Sequence, residues 1–167
     1  GQATQLLTTL GVHVTLSQGE QGNWCAPAEL DLMDVMLLRA QLVQQPAQLL
    51  IDWRPLQTIL NDALEPLLDQ LRDVASRKIE VLMWGGDHLL QCCVRQLESA
   101  SQSATSTALL WLLRLEMVRI MYGQEVFDNL ALQYCVALEV SPPSWVRTRC
   151  HFIDADSAIS LLEEELG

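Results

Sequence analysis

The chain has 167 residues and half of them are apolar, enough for one sizeable core, so one domain or one domain with an appendage is expected. Its formal net charge is −11, from 21 acidic and 10 basic residues. That balance excludes nucleic acid and anionic lipid as partners, because both require clusters of Lys and Arg to displace counterions. Direct membrane insertion is not expected either: the most apolar window, Ala108 to Tyr122, is interrupted by Arg114, Glu116 and Arg119.

Five cysteines, Cys25, Cys92, Cys93, Cys135 and Cys150, form no CxxC pair, and their number is odd. They read as reduced core thiols of a cytoplasmic protein. Gln2 to Gly11 carries no basic residue and too short an apolar run for a secretory signal.

Val12 to Leu16 alternates around β-branched residues and predicts a strand, followed by a polar loop over Ser17 to Asn23. Ala28 to Gln44 predicts a helix that buries Leu30, Met33, Leu37, Ala40 and Val43, or a parallel set through Met36. Asp31 and Asp34 then read as exposed helix face. Ala47 to Asp52 is a short apolar run between Pro46 and Arg54-Pro55, the pattern of a buried strand. Beyond the strand-like Thr58-Ile59-Leu60 the period changes. Leu64, Leu67, Leu68, Leu71, Val74 and Ala75 fall on one helical face. Asn61 or Asp62 is the expected cap, with Glu65 at capping-box distance from Asp62, and Pro66 pulls the expected start toward Glu65. Ile79 to Trp84 predicts a second buried strand, Gly85-Gly86 a turn, and Asp87 the cap of a helix bearing Leu89, Leu90, Cys93, Val94 and Leu97.

Strands alternating with helices imply an α/β fold with parallel pairing, over roughly residues 10–100. Residues 101–107, rich in Ser, Thr and Ala, read as a linker or frayed helix end. Residues 108–145 predict two helices joined at Gly123-Gln124, an antiparallel hairpin stopped by Pro142-Pro143 so that Trp145 folds back on it. Residues 146–167 hold one further strand, Arg149 to Ile153, and an acidic tail that frays or packs as a short helix.

This order of elements resembles the STAS domain, the fold of bacterial anti-sigma-factor antagonists. The residues that carry the resemblance are the LLIDW strand ending on Asp52, the IEVLMW strand, and Asn61-Asp62-Ala63-Leu64 where the family has its phosphorylated Ser/Thr turn. The resemblance implies a mixed sheet with helices. This chain has no Ser or Thr in that turn, and Thr58 is the nearest hydroxyl, so it looks like a STAS-like subunit that binds a partner without a phosphorylation switch. Leu115 to Trp145 resembles a tetratricopeptide-like hairpin, too short alone for a solenoid.

Three functional readings follow. The first is a non-enzymatic, regulatory protein-interaction module whose surface comprises Trp53, Arg54, Thr58, Asn61, Asp62, Glu65, Asp69, Arg72 and Asp73. Trp and Arg are favoured contact residues, and Trp53 is expected to be partly exposed. The second is a small-ligand or nucleotide site at Gly85 and Gly86, although no GxGxxG or Walker lysine accompanies them. The third is a hairpin scaffold that the α/β part supports. No cofactor, catalytic residue or metal site is expected. His13, His88 and His151 lack ligand spacing, and Cys92-Cys93 are adjacent. A homodimer through the sheet edge or the hairpin is open at this point.

Overall fold

The computed structural model describes residues 21–166. The strand expected at Val12 to Leu16 lies outside them.

The fold is α/β. Strands β1 (Gln21–Cys25), β3 (Gln48–Asp52), β5 (Glu80–Trp84) and β6 (His151–Asp154) form one sheet in that spatial order. All three pairings are parallel, with Leu49 beside Gly22 and Val81, and Val81 beside Phe152. The described strands therefore do not form the mixed sheet that the STAS resemblance implies. β3 and β5 are apolar along most of their length because a central parallel strand is buried on both faces. β2 (Glu29–Leu30) and β4 (Thr58–Ile59) make a small second parallel pair.

One sheet face, through Trp24, Leu49, Ile51, Val81 and Met83, forms a continuous core with helices α1 (Leu32–Val43), α2 (Asn61–Ser76), α3 (Gly86–Leu97) and α4 (Ala104–Met121). The other face, through Leu50, Leu82 and Trp84, is covered by Ala155 and Ala158 of α6 (Ala155–Leu166). α5 (Gln124–Leu138) packs on α4 as the expected hairpin, and Trp145 folds back edge-on to Phe127, with ring centroids 5.4 Å apart.

Several local expectations are corrected. The loop expected at Ser17 to Asn23 ends in strand β1, which Trp24 anchors by donating its Nε1–H to the Asp34 carbonyl of α1 at 2.9 Å. α1 buries Val35, Leu38 and Leu42, not the expected face. Met33, Leu37, Ala40 and Val43 point to solvent, and Leu30 is buried from β2. Asp31 and Asp34 form a capping box at the start of α1 instead of lying free on its surface.

α2 starts at Asn61, with Leu60 in the cap position, so neither Asn61 nor Asp62 is the cap. Pro66 lies inside the helix, where the missing N–H costs about 3 kcal/mol. Burying Leu64, Leu67, Leu68 and Leu71 contributes about 1.5–3 kcal/mol each, so the apolar face sets the start of the helix and the proline does not. Likewise Gly85, not Asp87, is the cap of α3. The expected linker is helical from Ala104 onward. Ser103 caps α4, and the buried Ser106 donates to the Asn61 side-chain carbonyl at 3.3 Å.

Candidate functional site

The face of α2 turned away from the core is a line of polar residues. Asp62, Glu65, Asp69 and Arg72 are exposed, three or four residues apart, while the opposite side buries the leucine face. Among the described residues none of these four takes part in an ion pair. Two acids near this line are instead paired within the chain. Asp73 holds Arg77 at 2.9 Å, and Arg77 also donates to the Leu42 carbonyl at 2.7 Å, so this pair ties α2 to α1. Glu116 holds Arg119 at 2.6 Å. Asp73 thus belongs to the scaffold under the expected surface. Asn61 is exposed, but its amide receives the Ser106 hydroxyl, so it too has a structural part. Arg72 borders a groove of about 390 Å³ between α2, α4, α5 and the Pro143–Val146 segment.

Thr58 is exposed on β4, just before this line, whereas Arg54 lies beyond β3 on the side of the sheet that Trp84 shares with α6. Arg54 grips Asp52 through two guanidinium bonds at 2.9 and 2.8 Å, and its guanidinium carbon sits 5.1 Å from the Trp84 ring centroid. Partial burial raises the Asp52 carboxyl. The Arg54 side-chain and backbone hydrogen bonds and the guanidinium charge outweigh it, so the carboxyl titrates below its ordinary value. Cys25 lies nearby. Burial first, and then the Asp52 charge, push its thiol above the usual value, against the opposing pull of Arg54. A thiol held protonated is a poor nucleophile.

The expectation for Trp53 is corrected. Its side chain is 0% exposed, packed edge-on against Trp24 with centroids 5.3 Å apart, and its Nε1 lies 3.5 Å from Met83 Sδ. Trp53 immediately follows the central strand and turns into the core, so it cannot meet a partner in this conformation. The contact candidates that remain at the surface are Arg54, Thr58, Asp62, Glu65, Asp69 and Arg72.

Gly85 and Gly86 are both buried. Gly85 adopts φ +73°, the left-handed region that favours glycine, and an added Cβ would stand 3.1 Å from the Arg54 backbone nitrogen. Its N–H donates to the Asp156 carboxylate of α6 at 2.8 Å. A Cβ on Gly86 would meet Met121 at 2.6 Å. The amide that a phosphate would use is therefore already bonded to an internal carboxylate, and the turn is closed by α4. The glycines serve close packing here.

His88 and Cys92 lie one turn apart on α3, with Nε2 and Sγ 3.6 Å apart. His88 Nε2 sits 2.6 Å from the Leu56 carbonyl, and Cys92 is fully buried while Arg95 reaches its sulfur at 3.0 Å. This arrangement joins α3 to the β3–β4 connection, and the buried sulfur is out of reach of a substrate. Gln96, which sequence reading passed over, completes the junction. Its amide accepts from the Ile59 N–H at 2.7 Å and donates to the Ile59 carbonyl at 2.9 Å. A lone glutamine on a helix carries no sequence signal of such pairing. Among the described residues no group of three His, Cys, Asp or Glu is placed to hold a metal ion, and no helix is long and apolar enough to cross a membrane. Comparison with protein-family models, with curated proteins and with solved structures finds no match.

Proposed function

We propose that this chain is a non-enzymatic, STAS-like interaction module of the cytoplasm, which holds a basic surface of a partner protein against the outer line of α2. The observation that carries this reading is the contrast among its carboxylates. Asp52, Asp73 and Glu116 each hold an arginine of their own chain, whereas Asp62, Glu65 and Asp69 stand exposed on one line with no ion pair among the described residues. Like charges at helical spacing repel one another by a few tenths of a kcal/mol per pair, and Lys or Arg groups from a partner reverse that sign. Thr58 precedes the start of this line, and Arg72 extends it toward the α4–α5 groove. Recognition is by shape and charge, with no covalent switch, since no hydroxyl residue occupies Asn61 to Leu64.

The test is tagged purification from the native host, with wild type beside Asp62→Lys, Glu65→Lys, Asp69→Lys. These positions are exposed, so the folded state is retained, and circular dichroism checks it. One protein that co-purifies with wild type, weakens with salt and disappears with charge reversal is the expected result. The same protein retained by both refutes the α2 surface and moves the binding face to the hairpin.

A further inference from the structure

We propose that α1 joins two copies of this chain across a two-fold axis, through an uncharged apolar face formed by Leu32, Met33, Met36, Leu37, Ala40 and Val43. On a solvent-facing helix the outward side is normally polar. Here it is the reverse: Met33 is 67% exposed, Val43 66% and Leu37 59%, with Leu32 and Met36 also exposed. At about 100° per residue these six positions fill one continuous arc of roughly 140°. Arg39 borders the arc on one side, and Asp34 and Gln41, which both reach β1, border it on the other. Exposed Leu60 extends the patch past Leu32, because its N–H bonds the Leu30 carbonyl at 2.9 Å.

Area and charge select a second copy as the occupant. The exposed surface of Leu32, Met33, Met36, Leu37, Val43 and Leu60 comes to roughly 550 Å² per copy, so a symmetric pair buries at most about 1,100 Å², which clears the roughly 1,000 Å² a biological interface needs and is the size of a weak, reversible one. A patch of this size lies at the upper end of what a monomer exposes, and patches of that size often mark an interaction site. A chain of net charge −11 meets its own copy most easily where it presents no charge, and the centre of this face presents none. Antiparallel stacking sets the Leu32 end of one helix against the Val43 end of the other, which satisfies an isologous contact, and the small Ala40 leaves room for close approach near the middle. The acidic line of α2 suits a basic partner and not another copy, although it begins at Asp62, two residues past Leu60 at the edge of the apolar patch.

Analytical ultracentrifugation of the full chain tests this. Wild type is expected at dimer mass at about 10 μM, and Met33→Glu with Leu37→Glu raises the dissociation constant at least about 100-fold. The control pair Leu132→Glu with Val136→Glu, on the exposed side of α5, leaves the dimer unchanged. Added NaCl tightens the dimer, since it screens repulsion between two acidic bodies and leaves the uncharged contact intact. A wild type that stays monomeric overturns the proposal. If the double variant then lowers the melting temperature, the face is covered by a segment of its own chain; if it does not, a different protein is the occupant. A double variant that dimerises like wild type, or a dimer that salt dissolves, overturns it as well.

Discussion

Gln96→Leu isolates the contribution of one side-chain amide to the edge of the small sheet. Ile59 is 1% exposed, and Gln96 satisfies both its N–H and its carbonyl. Leucine keeps the volume and removes both bonds, which leaves a donor and an acceptor unpaired at a cost of about 1–3 kcal/mol each when fully buried. Gln96 is half-buried, so water reaches the site in part, and the lower part of that range applies, about 2 kcal/mol in total. For a chain of this size that corresponds to a fall of about 4–8 °C in melting temperature. Urea and thermal unfolding measure the loss, and amide exchange at Ile59 reports whether it arises there. Gln91→Leu, on the exposed side of the same helix, is the control and stays within about 0.5 kcal/mol of wild type. If Gln96→Leu also stays within about 0.5 kcal/mol and Ile59 keeps its protection, the side chain is not completing the edge and the reasoning fails.

Trp53→Ala is expected to destabilise the fold by about 3–5 kcal/mol and to erase the near-ultraviolet signal of the Trp24–Trp53 pair, measured by chemical unfolding and circular dichroism; a loss under about 1 kcal/mol would return Trp53 to the surface. Arg54→Met raises the Asp52 titration midpoint, followed by NMR. Because the folded Asp52 carboxyl lies below its unfolded value, the stability that Arg54 confers through it is present above the ordinary carboxylate range and is lost as pH falls through the folded midpoint. The wild-type and variant stabilities should therefore converge in acid, and a constant gap would contradict the pairing.

How far the sequence can be read depends on how one-sided each element is. α2 is legible because Leu64, Leu67, Leu68, Leu71, Val74 and Ala75 face one way, charged residues face the other, and all six are buried. β3 and β5 are legible because central parallel strands are apolar along most of their length. α1 misleads because it carries apolar residues on two sides, so periodicity does not tell the buried Val35, Leu38 and Leu42 from the exposed set. β1 is nearly silent, since Gln21-Gly22-Asn23 has low strand propensity and Trp24 is its one large anchor. The acidic line of α2 follows from helical spacing alone. The burial of Trp53, the closure of Gly85 by Asp156, and the Gln96 bridge all depend on partners about thirty or more residues away, and local pattern carries no record of them.

The placement of β6 has a consequence for how the protein is made. β5 is completed at Trp84, yet its second neighbour begins only at His151, after α3, α4 and α5 have been synthesised. During translation at about 5–20 residues per second, β5 spends several seconds as an open edge while roughly 65 residues emerge. An open apolar edge is a template for pairing with other nascent chains. The last strand therefore acts as a closing seam, and a ribosome stalled between Gly86 and Arg149 would release an aggregation-prone intermediate from an otherwise well-paired sheet.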